Sequence, residues 1–199
     1  GQRLHYLKEK SSQPQENFFF LQNEVSHFMR NDPYQAVLNL KDNFYKEIIN
    51  DQKDFFKGYD LPERRNLELK KKYKVAHMLS GLTDSSGSAP TRRLMEILEG
   101  YKRDYFDPYV WESKQFWDVR GGKKERKTLT RLRELKIPIF GSSSEFKILE
   151  HAKKLVKQIE DEEIDILVLH QSFMVHLFVQ HLTKVPLIIF MEHGDYSFH

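Results

Sequence analysis

Hydrophobic and polar positions follow two different rhythms along the 199 residues, with the change near residue 70. Before it, apolar residues recur at spacings of three and four, the period of an amphipathic helix. Residues 16–29 place Phe19, Phe20, Val25, Phe28 and Met29 near one face. Asp32-Pro33 has the form of a helix start, with Asp32 as cap and Pro33 in the first turn. The helix that follows carries Ala36, Val37, Leu40, Phe44, Ile48 and Ile49. Another helical piece over residues 51–57 ends at Gly58, and Leu61-Pro62 opens a short element. Residues 11–15 are a polar linker, and no self-similar period marks a repeat.

From residue 71 short apolar runs alternate with helical stripes. Strands are expected at residues 73–79, 108–111, 137–140, 164–169 and 185–191. The helices between them span residues 91–101, 126–135, 145–160 and 172–182. The third of these carries Ile148, Leu149, Ala152, Leu155, Val156 and Ile159 as one stripe. Near-continuous apolar strands mean burial on both faces, which occurs in parallel sheets covered by helices. The expected architecture is therefore α/β, a doubly wound, Rossmann-like parallel sheet of five strands in the order 3-2-1-4-5. Residues 1–70 form an α-helical N-terminal extension to it, either packed on the sheet or serving as a separate partner-binding module. Because the chain stops just after its fifth strand, a fragment of a longer protein is expected.

Composition narrows this reading. Apolar residues make up 39% and charged residues 31%, which supports a folded core. No run approaches the length of a membrane span, and no secretory signal precedes the helices. The chain has no cysteine, so disulfides, cysteine-ligated zinc and thiol catalysis are excluded, and a cytoplasmic location is expected. The formal net charge of +3 is spread among interleaved acids and bases, which is no nucleic-acid footprint.

Ligands of open parallel sheets bind beyond the carboxyl ends of the strands. The first strand runs into a loop rich in glycine and serine, from Gly81 through Ser86, Gly87 and Ser88 to Pro90. Small residues let backbone approach a ligand, and the next helix offers free N–H groups, which suits a phosphate or a sugar hydroxyl. The plainer alternative is an ordinary connection. The dinucleotide fingerprint needs three spaced glycines, and the phosphate loop needs Gly-Lys-Ser/Thr. Neither is present, so no NAD, ATP or other cofactor is expected, and Glu112 is a weak ribose contact without those glycines.

The fourth strand ends in His170-Gln171 and the fifth in Glu192-His193-Gly194-Asp195. Histidine can donate to a hydroxyl or phosphate, or move a proton near neutral pH. Asp195 can accept from hydroxyls. The other histidines have structural readings. His77 lies within the first strand, His151 on a charged and solvated helix, and His176 and His181 at surface or packing positions. The five-residue spacing of the last two does not suit a zinc pair. Trp111 and Trp117 read as core or interface residues with sugar stacking as the alternative. The run Lys123–Lys127 reads as a solvated helix start.

These residues resemble a family. Residues 72–199 are similar to the N-terminal domain of GT-B glycosyltransferases, especially the glycogen-synthase-like retaining group. The likeness lies in the first strand with its loop and the helix Thr91–Leu98. It lies also in Ile164-Asp165-Ile166-Leu167-Val168-Leu169-His170 and in Val185-Pro186-Leu187-Ile188-Ile189-Phe190-Met191-Glu192-His193. Where the family has a Gly-Gly pair, this chain has Ser86-Gly87. The resemblance implies a domain that binds mainly an acceptor, with a second Rossmann-like domain holding most of a nucleotide-sugar donor. It places His193 against the reacting sugar and Gly87 near the diphosphate. Gly81, Ser86, Ser88, His170, Gln171 and Asp195 complete the expected substrate contacts, with no metal. The alternatives are a non-enzymatic interaction module and another nucleotide-dependent Rossmann enzyme.

Overall fold

A computed structural model of the chain describes residues 56–82, 89–113, 127–141, 148–170 and 174–191. Two compact units divide it, Gly1–Leu61 and Pro62–His199. The helices expected over residues 16–29 and 36–49 lie outside the described residues. In the first unit, Phe56 is helical and Tyr59 N–H donates to its carbonyl at 3.0 Å in a turn through Gly58.

The second unit alternates strand and helix throughout its described length. Its elements are β1 (Tyr73–Leu79), α1 (Ala89–Glu99), β2 (Phe106–Glu112), α2 (Lys127–Glu134), β3 (Ile139–Gly141), α3 (Ile148–Asp161), β4 (Ile166–His170), α4 (Met174–Leu182) and β5 (Leu187–Met191). The five strands are all parallel and ordered β3-β2-β1-β4-β5. This is the doubly wound order expected from the alternation.

Side-chain parity sorts the core into two layers. Leu79 and Val110 pack with Leu94 and Leu98 of α1 and with Leu132 of α2. On the opposite face Trp111 is fully buried, its indole N–H donating to Gln158 of α3 at 3.3 Å. Tyr109, Trp111 and Phe140 stack there, the last two with ring centroids 4.5 Å apart. The apolar stripe of α3 is buried through Ala152, Leu155 and Ile159, and α4 packs beside it.

Some expected boundaries shift for local reasons. β2 starts two residues before the apolar run, because Pro108 is harmless where it sits. Val110 N–H points toward β3, reaching the Pro138 carbonyl at 3.0 Å. Pro108 shares that orientation but lies below the start of β3, so its absent N–H breaks no ladder bond. β3 and β4 start two residues later than expected because Ile137 and Ile164 close the preceding helices. Ile137 N–H reaches Leu132 O and Lys136 N–H reaches Arg133 O. Ile164 N–H likewise reaches Ile159 O and Glu163 N–H reaches Glu160 O. These are Schellman turns, with the left-handed position held by Lys136 (φ 55°) and Glu163 (φ 52°) instead of glycine. Gly141, expected to close β3, is its last residue and has no left-handed φ.

β5 departs from burial on both faces. Leu187, Ile189 and Phe190 are 37–40% exposed, as befits an outer strand paired only with β4 among the described residues.

The amino ends of β1 and β4 are clamped by the segment after Pro62. Arg65 donates a guanidinium N–H to Ile164 O at 2.7 Å, and Lys70 Nζ meets Asp165 Oδ1 at 2.6 Å. The second carboxylate oxygen of Asp165 accepts Lys74 N–H at 3.0 Å.

Candidate functional site

Parallel pairing brings the carboxyl ends of β1, β2 and β4 to one edge of the sheet. The exit of β1 is pinned there. Leu79 O accepts both Ser113 N–H, at 2.7 Å, and Ser113 Oγ–H, at 3.0 Å. Leu82 N–H donates to Glu112 Oε1 at 2.8 Å, and Glu112 is buried. Its carboxylate therefore shapes the backbone of the β1 loop, which places it in a supporting position and not in the ribose contact considered from sequence. Gly81 lies between these anchors and is half-buried. Ser86, Gly87, Ser88, Gln171, His193 and Asp195 lie outside the described residues, as does Trp117.

His170, at the end of β4, is fully buried and linked to a chain of polar groups. Its Nε2 lies 2.9 Å from His77 Nδ1, and His77 Nε2 lies 2.7 Å from Tyr101 Oη. His77 comes from the middle of β1, and Tyr101 from the segment that leaves α1. Burial drops the His77 imidazole to about 4 from 6.5, so it is neutral at physiological pH. The same cause pushes the Tyr101 hydroxyl up to about 12, which keeps it protonated.

A second group meets at Ser113. With its hydroxyl proton donated to Leu79 O, Ser113 Oγ accepts from His176 Nε2 at 3.0 Å. Ser113 O accepts from His151 Nε2. Both histidines are buried. His151 therefore corrects the solvated position expected for it. The charged residues of α3 occupy other faces of the helix, whereas His151 lies on the side that covers the sheet. His181 is half-buried, and its imidazole is lowered by burial and by the nearby Arg64 charge.

The structure thus builds a buried polar layer of Glu112, Ser113, His77, His151, His170 and His176 at and beneath the carboxyl edge. Sequence reasoning singled out His170 but missed Ser113, Tyr101 and the role of His77. One signal was available for His77: a histidine inside an apolar strand must find partners when buried. Among the described residues, no cluster of histidine and carboxylate side chains suits a metal ion, and no helix is long and apolar enough to cross a membrane.

No protein-family model matches the sequence, and no curated protein matches it. Among solved structures the chain is similar to an O-GlcNAc transferase variant from Thermobaculum terrenum, with a TM-score of 0.53 and 14% identity, over 89% of this chain and 34% of that one. It is also similar to a glycosyltransferase from Rickettsia africae, with a TM-score of 0.41 and 18% identity, over 64% of this chain and 31% of that one. The chain therefore spans about a third of the length of either structure. The first likeness is one of fold.

Proposed function

We propose that the α/β unit is the acceptor-side half of a GT-B glycosyltransferase that moves a sugar from a nucleotide-sugar donor. The observation that carries this reading is the buried polar layer at the carboxyl edge, in a glycosyltransferase-like fold. Buried polar groups are costly unless they are bonded, and here they tie together the described ends of β1, β2 and β4. A layer of this kind fixes loop backbones so that small residues can approach a ligand closely.

In this reading the loop from Gly81 through Ser86, Gly87 and Ser88 faces the diphosphate. His170 and Gln171 bind hydroxyls at the end of β4, and His193 and Asp195 do so after β5. Transfer requires the leaving diphosphate to be stabilised, which N–H groups and basic side chains can do without a metal. Most donor contacts come from residues beyond these 199, consistent with the share of the similar structures that the chain spans.

Calorimetric titration of the full-length protein with UDP, GDP and their sugar conjugates, followed by an assay of donor hydrolysis, tests the reading. Binding of one nucleotide class with slow hydrolysis is the expected result. Absence of binding to every nucleotide sugar overturns it, and tight binding of NAD or NADP instead would favour a different nucleotide-dependent enzyme.

A further inference from the structure

We propose that the amino edge of the parallel sheet docks on an anionic lipid bilayer, through the segment before β1 and the turn between α1 and β2. The juxtaposition behind this is a set of exposed apolar side chains among lysines and arginines. Leu69 is 99% exposed, Tyr105 58% and Leu67 45%. Lys70, Lys71 and Lys72 follow Leu69 directly, and Lys102 and Arg103 precede Tyr105 in its turn.

Backbone bonds bring the two segments to one edge. Tyr105 N–H and Phe106 N–H both return to Lys102 O, at 2.9 and 3.1 Å, which closes the turn after α1. Tyr105 O then accepts Tyr73 N–H at 2.8 Å, and Lys70 N–H meets Tyr73 Oη at 3.3 Å. Asp107 adds a charged link, 3.8 Å from Lys72 Nζ and 3.8 Å from Arg103 on the other segment.

Charge at this edge is uneven. Residues 62–74 and 102–107 hold eight lysines and arginines against five carboxylates, counting Asp165, which faces Lys70. That surplus equals the formal net charge of the whole chain, +3, so the remaining residues balance one another. The two contacts of Asp107 are long and partly exposed, so water and salt screen them and the cations stay available to an outside anion. A single exposed leucine is ordinary on a protein surface. Here leucine and tyrosine side chains stand beside lysines, whose stems lie along apolar surface while their ammonium tips stay at headgroup level. A bilayer interface takes apolar side chains without requiring a matching shape, and anionic headgroups attract the lysines.

Docking this way leaves the candidate site free. β1 runs from Tyr73 to Leu79, which sets the carboxyl edge roughly 20 Å from the docked edge. The contact therefore tethers the protein and does not feed the site, and it does not rest on the proposed glycosyltransferase function.

Sedimentation of the full chain with large vesicles tests it, using phosphatidylcholine alone or mixed with phosphatidylglycerol. Binding to the mixed vesicles at low salt, weakened by added salt, is expected, with none to phosphatidylcholine alone. Lys71→Gln should weaken binding about fivefold. Leu69→Ser should weaken it about tenfold. Both side chains are exposed, so the melting temperature should not move. The proposal stands only if both substitutions weaken binding. Absence of binding to the mixed vesicles overturns it, as does Leu69→Ser binding like the unsubstituted chain, which is adsorption by charge alone. An equal loss in Lys153→Gln, on α3, also overturns it, because the charge would then act from anywhere on the surface. Nucleotide titration judges the glycosyltransferase reading separately.

Discussion

His77 and His170 join their rings at 2.9 Å across the β1–β4 pair, although the register sets His77 opposite Val168. The contact is diagonal, between residues of the same face two positions apart, and it lies where the sheet changes winding direction. The contact ties the middle of one strand to the carboxyl end of its neighbour.

That link makes stability depend on pH. The folded His77 titrates near 4, against 6.5 for an unperturbed imidazole. Above pH 6.5 both folded and unfolded chains leave it neutral, and stability is whole. As pH falls from 6.5 toward 4 the unfolded chain takes up a proton that the folded chain refuses, so stability declines. The integrated loss is on the order of 3 kcal/mol. Urea denaturation across this window should show it, and His77→Gln should flatten the slope. His181, also lowered, acts in the same direction and remains in both proteins. Parallel losses in both proteins would refute the assignment to His77.

The two Schellman turns offer a stabilisation. Lys136 and Glu163 adopt φ values of 55° and 52°, a region in which a side chain is strained and glycine is not. Lys136→Gly and Glu163→Gly should each stabilise by about 0.5–1 kcal/mol, less the entropy that glycine adds to the unfolded chain. The substitutions lie on separate turns and should add. A lower melting temperature in both single variants would show that the turns carry no strain.

Asp165 should prove structural. It is buried, with Lys70 on one oxygen and Lys74 N–H on the other. Asp165→Asn weakens both contacts and sets an amide against an ammonium or a backbone donor, at a cost of about 1–3 kcal/mol. Lys70→Met should cost less, about 1 kcal/mol or below, because the Lys70 side chain is 41% exposed and partly screened by water. Denaturation midpoints of the two variants check the order, and a costlier Lys70→Met would reverse the reading of the clamp.

His193 is the residue whose loss should touch catalysis most directly under the proposed function. His193→Ala in the full-length protein should lower turnover by about 10²-fold while leaving the melting temperature within a degree or two. An unfolded variant that keeps its rate per folded molecule would instead make His193 structural.

The strand order and the helix–strand alternation were legible because burial on two faces writes long apolar runs, as at 166–169. Turn chemistry was less legible. The sequence marks helix ends with glycine only sometimes, and Lys136 and Glu163 do that work here without a signature. Pro108 discouraged a long β2 because its harmlessness depends on where β3 begins, which is a tertiary fact. The candidate site was legible only in outline. The strand-end position of His170 follows from the run before it. Ser113 and His151 could not be linked from sequence, since they come from different elements and meet only after the crossover folds. Asp165 shows the converse: part of a family-like motif, it sits at the amino edge of the sheet, away from the carboxyl edge where ligands bind.

The strand order also sets a timetable for the growing chain. The His77–His170 contact closes 93 residues of sequence, so β1 leaves the ribosome long before the strand that must flank it on one side. At ordinary synthesis rates that interval is roughly 5–20 s. Throughout it, one side of the central strand has no β4 to pair with, and a nascent β1 must wait beside β2. Translation pauses or chaperone capture between residues 113 and 166 would bear on yield, because they lengthen the time for which the sheet's central strand waits for its second partner.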